Sequence, residues 1–501
     1  MSKAGIAATA LVVIGAAGIA GAWYTGNQLE GVLQGNIDNT NQQLRAAFPE
    51  ADMVVELASF ERGVFSSQAR YRLVAQDADN DGAALELFIS DHIEHGPLPL
   101  SRLTSFRWLP VMAVSHAQLE ASDDLAELFA ASAGRPPLSV TSSLGYGKGI
   151  QGNIEVAPLN WQRDGLTGTF SGLSAIYKTD TAGDTIQLNG RVDSVELAGP
   201  GSVRLVGMDF NLDRRRGASD LYLGTSKVEL DQLAVERPGE PPVVLSELVQ
   251  TDAVEQNADG AKMQLGYRVG LVTYGPARLG SLDLGLTVSR LDPQALMELW
   301  SIYESLAQAQ GAEQLDAEQF QAALQQLLDG QPRVSLDNLS IRTANGESRF
   351  TLGLDLQRPA SLQVPPADLA SSMVRKLDAN LVLSKPMMMD MVRHKALFQP
   401  GTDPAAVEQE ASMAVEMLSA MAEMLQLGRV EGDNILSQLN YADGAVTING
   451  QSFDVDDLAG LLGELQKGIP FWWLPWQCHV GQLPWRLLRA GRALTVDPRR
   501  K

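Results

Sequence analysis

Asp91-His92-x-x-His95 places a carboxylate and two imidazoles within five residues. Residues of these types hold zinc, and a histidine oriented by a carboxylate serves as a general base in hydrolases. On a helix His92 and His95 would share a face, but Gly96-Pro97-Leu98-Pro99 follows at once, so a strand running into a loop is expected. No second ligand group lies near in sequence, and His116 is remote. A metal-dependent hydrolase built on Asp91, His92 and His95 is therefore the minor expectation, and no metal is assigned. Asp77-x-Asp79-x-Asp81-Gly82 has the opening of a calcium loop, yet the bidentate Glu due at its twelfth position is Phe88, and a solvated hairpin turn explains the same residues.

Methionine is concentrated in two groups, Met387, Met388, Met389 and Met391, then Met413, Met417, Met421 and Met424. The second group has helical spacing. Such a flexible apolar stripe packs into a core, meets a lipid or partner helix, or presents thioethers to Cu(I), with core packing the first expectation. There is no Gly-x-Ser-x-Gly elbow, Ser-x-x-Lys motif in a convincing setting, Rossmann glycine loop or P-loop. The sequence thus assigns no catalytic residue and no cofactor, and enzymatic activity is not expected.

Composition narrows the classes further. The 501 residues carry 39 Lys and Arg against 60 Asp and Glu, a formal net charge of −21. Affinity for nucleic acid rests on clustered Lys and Arg that neutralise phosphates, so that partner is excluded. Cys478 is the single cysteine, which rules out an intramolecular disulfide and a thiolate metal cluster.

The elements that must position any site are mostly strands. Met263, Leu265, Tyr267, Val269 and Leu271 alternate with polar or small residues, as do Leu282, Leu284, Leu286 and Val288, Phe350 to Leu356, and Val206 to Leu212. Period two with one apolar face marks antiparallel sheet. Asp81-Gly82, Asp164-Gly165, Asp259-Gly260, Asn345-Gly346 and Asp443-Gly444 supply hairpin turns between such runs. Two helical zones interrupt them, a hairpin over 293–329 with an Asp316/Gln319 capping box and a Met-rich zone over 386–427. Pro238 to Pro242 and Pro365-Pro366 break the periodicity. The predicted fold class is α+β, mostly antiparallel β: an N-terminal transmembrane helix, then an elongated curved multi-stranded sheet with two helical insertions. Expected segments are an anchor (1–27), a juxtamembrane helix (28–48), two β-rich regions (49–240 and 241–465) and an atypical tail (466–501).

Between Lys3 and Glu30 there is no charge, and Gly5 to Ala22 would span about 27 Å as a helix, close to a hydrocarbon core of roughly 30 Å. Trp23 and Tyr24 follow where amphipathic rings favour the membrane interface. With Lys3 before the run and Glu30 and Asp38 after it, the expected orientation is N-terminus in the cytoplasm and the bulk of the chain outside. A cleaved signal peptide ending in Ala20-Gly21-Ala22 is the competing reading, and in a bacterium both deliver the body to the periplasm.

Three stretches carry a family likeness. Gly21 to Gly26 close the anchor, Arg62-Gly63-Val64-Phe65-Ser66-Ser67 opens the β region, and His95-Gly96-Pro97-Leu98-Pro99-Leu100 follows the first hairpin. With Tyr441-Ala442-Asp443-Gly444 and Ile448-Asn449-Gly450-Gln451, the chain resembles the YdgA-like family of bacterial proteins from the anchor to about residue 460. That resemblance implies an inner-membrane anchor, a periplasmic body and a family without known function. It transfers no catalytic residue. More distantly it suggests AsmA-like envelope proteins, whose long sheets form a lipid groove. From Phe471 onward Trp472, Trp473, Trp476 and Trp485 depart from the family, either as a shifted reading frame or as a membrane-interface segment.

The expected function is therefore a non-enzymatic envelope protein binding lipid or another hydrophobic ligand on an apolar sheet face. The alternative is a structural protein acting through self-association or a protein partner. Whether that face is filled by side chains or left open decides between a closed core and a groove.

Overall fold

In the computed structural model the described residues are Ile37, Asn41 and 51–453, without 64, 78–84, 97–98, 105, 107, 309–316, 362–371, 400 and 443. The anchor with Trp23 and Tyr24, most of the juxtamembrane segment, the Asp81-Gly82 turn, Asp316, Pro365-Pro366 and the tail lie outside them. No helix among the described residues is long and apolar enough to cross a membrane. The described residues form two compact units, one running up to Ile341 together with those of Leu354–Val374, the other Arg342–Gly353 together with those from Arg375 onward.

Alternation is realised in the larger unit as a long antiparallel meander. Its first strands are β1 (Ala51–Arg62), β2 (Ser66–Asp77), β3 (Leu85–His95), β4 (Ala113–Leu119), β5 (Leu138–Leu144) and β6 (Gly149–Val156). A short ribbon of β7 (Leu159–Arg163) and β8 (Leu166–Phe170) precedes β9 (Leu173–Asp180). Long strands follow: β10 (Thr185–Ala198), β11 (Ser202–Arg216), β12 (Tyr222–Glu236), β13 (Val243–Asn257), β14 (Gly260–Tyr274) and β15 (Ala277–Leu291). β1 to β6 pair in succession, β6 pairs with β9, and β9 to β15 again pair in succession. The ribbon joins the far half of β10. Asp164-Gly165 turns it with both residues at positive φ, as the pair predicts. Residues 237–242 form the turn between β12 and β13, so the break at Pro238 to Pro242 is a hairpin tip between paired strands.

The main core lies on one face of β1–β6 and β9. Met53, Tyr71, Leu73, Leu87, Ile89, Ile93, Leu119 and Leu125 are buried there, with Ile37 added from the N-terminal side. Asn41 secures that segment through two hydrogen bonds to the Val55 backbone, 3.0 Å from Nδ2 to the carbonyl and 2.8 Å from the amide to Oδ1. Beyond β15, helices Pro293–Gln308 and Ala317–Asp329 realise the predicted hairpin and lead to β16 (Arg333–Arg342).

In the long strands the apolar phase slips at one level. Val192 is followed by Val195, Leu230 by Leu233, Val269 by Val272; Leu205 precedes Met208, Leu245 precedes Leu248, and Leu279 precedes Leu282. The paired register steps over Asp193, Gly207, Asp231, Glu247 and Gly270 at this level, with Gly207 at φ 67° and Glu247 at φ 55°. A residue that leaves the pleat uses up one position of the alternation. Apolar residues on both sides of this transverse row thus share a face.

The smaller unit contains most of β17 (Glu347–Leu356), then β18 (Val374–Ser384), helices Lys385–Ala396 and Pro404–Met424, and β19 (Arg429–Glu431), β20 (Asn434–Ala442), β21 (Ala445–Ile448) and β22 (Gln451–Phe453). Ser384 caps the first helix by accepting from the Met387 amide. Asp390, buried, accepts from Thr343 Oγ1 at 2.6 Å, Asn345 Nδ2 at 2.8 Å and Arg393 at 2.8 Å. Burial alone would raise its carboxyl, but these hydrogen bonds outweigh it and hold the group below the usual range. Asp390→Ala is expected to cost about 2–4 kcal/mol, because the Thr343 and Asn345 donors lose their acceptor. In thermal melts its contribution is present above the ordinary carboxylate pKa and fades as pH falls through the depressed one, so the variant and parent converge in acid.

Core packing holds for Met387 and Met388, while in the second group Met421 is only partly buried and the other three are exposed. Met413, Met417 and Met424 are 57%, 55% and 74% exposed, because Ala411 and Val415 form the buried side of that helix.

Candidate functional site

The acid–histidine cluster singled out above is split by the pleat. β3 is a strand, so Asp91 and His95 point to the core face and His92 to the other. His92 stands directly opposite His116 on β4, a partner remote in sequence but adjacent in register. Thr141 Oγ1 lies 3.4 Å from His116 Nδ1. Among the described residues no group of three or more His, Cys, Asp or Glu is placed to hold a metal ion. The three-residue site around Asp91, His92 and His95 therefore does not assemble.

What does assemble is a buried polar row inside the core. Asp91 is 1% exposed and accepts from Ser115 Oγ at 2.6 Å. Burial pushes its carboxyl up to about 6, against hydrogen bonds from Ser115 and the His116 backbone. The Tyr71 hydroxyl faces the same carboxylate without a well-formed hydrogen bond; burial, then the Asp91 charge, raises it well above its ordinary value. Further along, the Tyr177 and Ser142 hydroxyls are bonded to each other. Tyr177 reaches Ser142 by lying across Gly152, where a Cβ would stand 2.5 Å from its ring and from the Thr141 carbonyl oxygen.

The family-motif residues converge at one end of the sheet. Arg62 and Gly63 enter the β1–β2 turn, Phe65 and Ser66 leave it, and the Phe65 carbonyl accepts from the His95 amide at 2.8 Å. Gly96 donates to Met112 at 3.1 Å, closing the start of β4 onto the same end. His95 Nε2 is 2.8 Å from the buried Ser67 hydroxyl. Burial, then the charges of His92 and Arg62, lower the His95 pKa, so its ring is neutral at pH 7. Asp91 is four residues away on β3, about 13 Å along the strand, too far to orient that imidazole. These contacts close a sheet end and do not form a nucleophile–base–acid triad. Pro97 lies outside the described residues.

The broadest candidate surface is the apolar face of β11–β15. Phe210 pairs with Val228, Met208 with Leu230, Leu248 with Val269, Tyr267 with Leu284 and Leu265 with Leu286, all on one side. None of these side chains is fully buried, and Met263 and Tyr267 remain 39% and 42% exposed. On the opposite side Lys227 pairs with Glu229 and Arg268 with Asp283, as a solvated face requires. One end of the apolar face is closed by charge: Arg214, nearly buried, bonds Asp252 and the Gly224 carbonyl, and Ser226 donates to the same carboxylate. Among the described residues this face is thus only partly covered, where that of β1–β6 is filled.

Fold and site together define a large antiparallel β protein with an apolar sheet face that the described residues leave partly exposed. The family described as a bacterial protein of unknown function, DUF945, matches residues 1–456, and the chain belongs to it. The likeness read from the motifs is thereby borne out. Among its relatives, Protein YdgA of Escherichia coli (strain K12) is 27% identical over 496 residues, covering 94% of this chain and 98% of that protein. The uncharacterised protein YihF of the same organism is 21% identical over 466 residues, 88% of this chain and 95% of its own length. No solved structure matches the chain.

Proposed function

We propose that the protein is a membrane-anchored, non-enzymatic envelope component that holds an elongated hydrophobic ligand, a lipid acyl chain, along the apolar face of β11–β15. The observation that carries this is the incomplete burial of that apolar face over five adjacent strands. A fifteen-residue strand runs about 50 Å. One leaflet of a bilayer core is about 15 Å deep, so the face has length to spare for an acyl tail. Gly5 to Ala22 supply the anchor, and the motif likeness supplies the envelope setting.

Full-length protein purified from membranes is expected to carry phospholipid or fatty acid detectable by native mass spectrometry. Val269→Asp with Leu284→Asp should abolish that cargo, since each puts an unpaired charge on the apolar face. Thr251→Asp with Gln264→Asp, on the opposite side, should leave it intact. Protein that carries no lipid, or a cargo indifferent to both pairs, would sink the proposal.

The alternative, action through self-association or a protein partner, is favoured by the outward Met413, Met417 and Met424. Light scattering that gives a strict monomer would count against it.

A further inference from the structure

Three connections meet at the Arg62 end of β1. The Phe65 carbonyl bonds His95 at the end of β3, Gly96 bonds Met112, and the Met112 amide bonds Leu144 at the end of β5 at 2.7 Å. The β1–β2 turn, the β3–β4 loop and the β5–β6 turn therefore stand side by side. Between them they expose Phe65, Leu100, Phe106, Trp108, Leu109 and Tyr146, each from 57% to 81% accessible. A cluster of this kind is too large and too aromatic for an ordinary soluble surface. It is also braced. Arg102, buried, donates to the Leu109 carbonyl at 3.0 Å, and Ser101 bonds Glu94 through both its amide and its hydroxyl.

The length of the N-terminal chain bears on what this end meets. Asn41, helical, is fixed level with Val55. Val55 to Arg62 covers about 23 Å of strand. The nineteen steps from Ala22 to Asn41 would span about 29 Å even at helical rise, enough to reach the Arg62 end. The apolar run Gly5–Ala22 thus ends within reach of the aromatic loops.

We infer that this loop end is a bilayer-docking surface, in which Phe65, Leu100, Phe106, Trp108, Leu109 and Tyr146 enter the headgroup–acyl boundary of the membrane that receives the N-terminal segment. Trp and Tyr at such a boundary keep one polar edge in the headgroups, and Phe and Leu bury fully. The docking does not depend on the lipid-carrying face, which lies on other strands.

The test uses the full chain with Cys478→Ser, so that a single introduced cysteine carries a bimane label. Phe65→Cys and Leu109→Cys report the loop end, and Asp124→Cys, exposed between β4 and β5 at the opposite end, is the control. Each protein is reconstituted in phosphatidylethanolamine–phosphatidylglycerol vesicles with and without brominated acyl chains. Labels at 65 and 109 should lose at least about half their emission to the brominated lipid, as interfacially inserted groups do, while the label at 124 loses none. Emission at 65 and 109 unchanged by bromine and quenched by aqueous iodide would overturn the inference. So would labels shielded from both quenchers, which would mean that protein covers this end.

Discussion

Asp91→Asn protein is expected to be more stable than the parent at pH 7 by about 2–3 kcal/mol. The Asp91 carboxyl titrates near 6 in the folded protein against an ordinary aspartate value of 3.8, so between those values the folded state binds the extra proton. Stability from this group is complete below about pH 4 and is lost as pH rises through about 6, at about 1.4 kcal/mol for each pH unit between the two values. Near neutrality the parent therefore carries a buried carboxylate that no cation among the described residues offsets. An asparagine keeps an acceptor for Ser115 and carries no charge. Urea titrations at pH 5 and pH 8 should show the gap between variant and parent at about half its full size at the lower pH. A gap that stays constant with pH would mean that Asp91 is not the titrating group.

Gly152→Val should destabilise the larger unit by about 2–4 kcal/mol. Its Cβ would collide with the Thr141 carbonyl oxygen, which the β5–β6 ladder holds in place, and with the Tyr177 ring, which the Ser142 hydroxyl holds. Overpacking of this kind costs about 1–3 kcal/mol, and displacing Tyr177 from Ser142 adds about 1 kcal/mol. Denaturant midpoints for Gly152→Ala, Tyr177→Leu and the double variant provide the sharper measurement. Because the same ring occupies the glycine's space, the double variant should lose clearly less than the sum of the singles. Additive losses would show that the ring does not depend on the gap at Gly152.

Strand-rich architecture was legible wherever one face of a strand is apolar and the other polar. The alternations Met263 to Val269 and Leu282 to Val288 became β14 and β15, and Asp164-Gly165 and Asp259-Gly260 became hairpin turns. The phase slip was also written in the spacing, as steps of three such as Val192 to Val195 and Leu230 to Leu233. A search for unbroken period two passes over it. The buried state of Asp91 was legible too, since Leu87, Ile89, Asp91 and Ile93 share one phase. The pairing of His92 with His116 could not be read, because it needs the register of β3 on β4 across a loop. Nor could the outward stripe of Met413, Met417 and Met424 be told from a core stripe. Helical spacing shows that such residues share a side, and only the packing of Ala411 and Val415 shows which side is covered.

The transverse row has a consequence for how such a protein could change in size. Every strand from β10 to β15 contains its own interruption at the same level, so each hairpin brings a complete rung and needs nothing from its neighbours to stay in step. A hairpin duplicated or removed between β11 and β14 would leave the remaining rungs aligned and the apolar side unbroken. The chain is built so that its length can be edited two strands at a time.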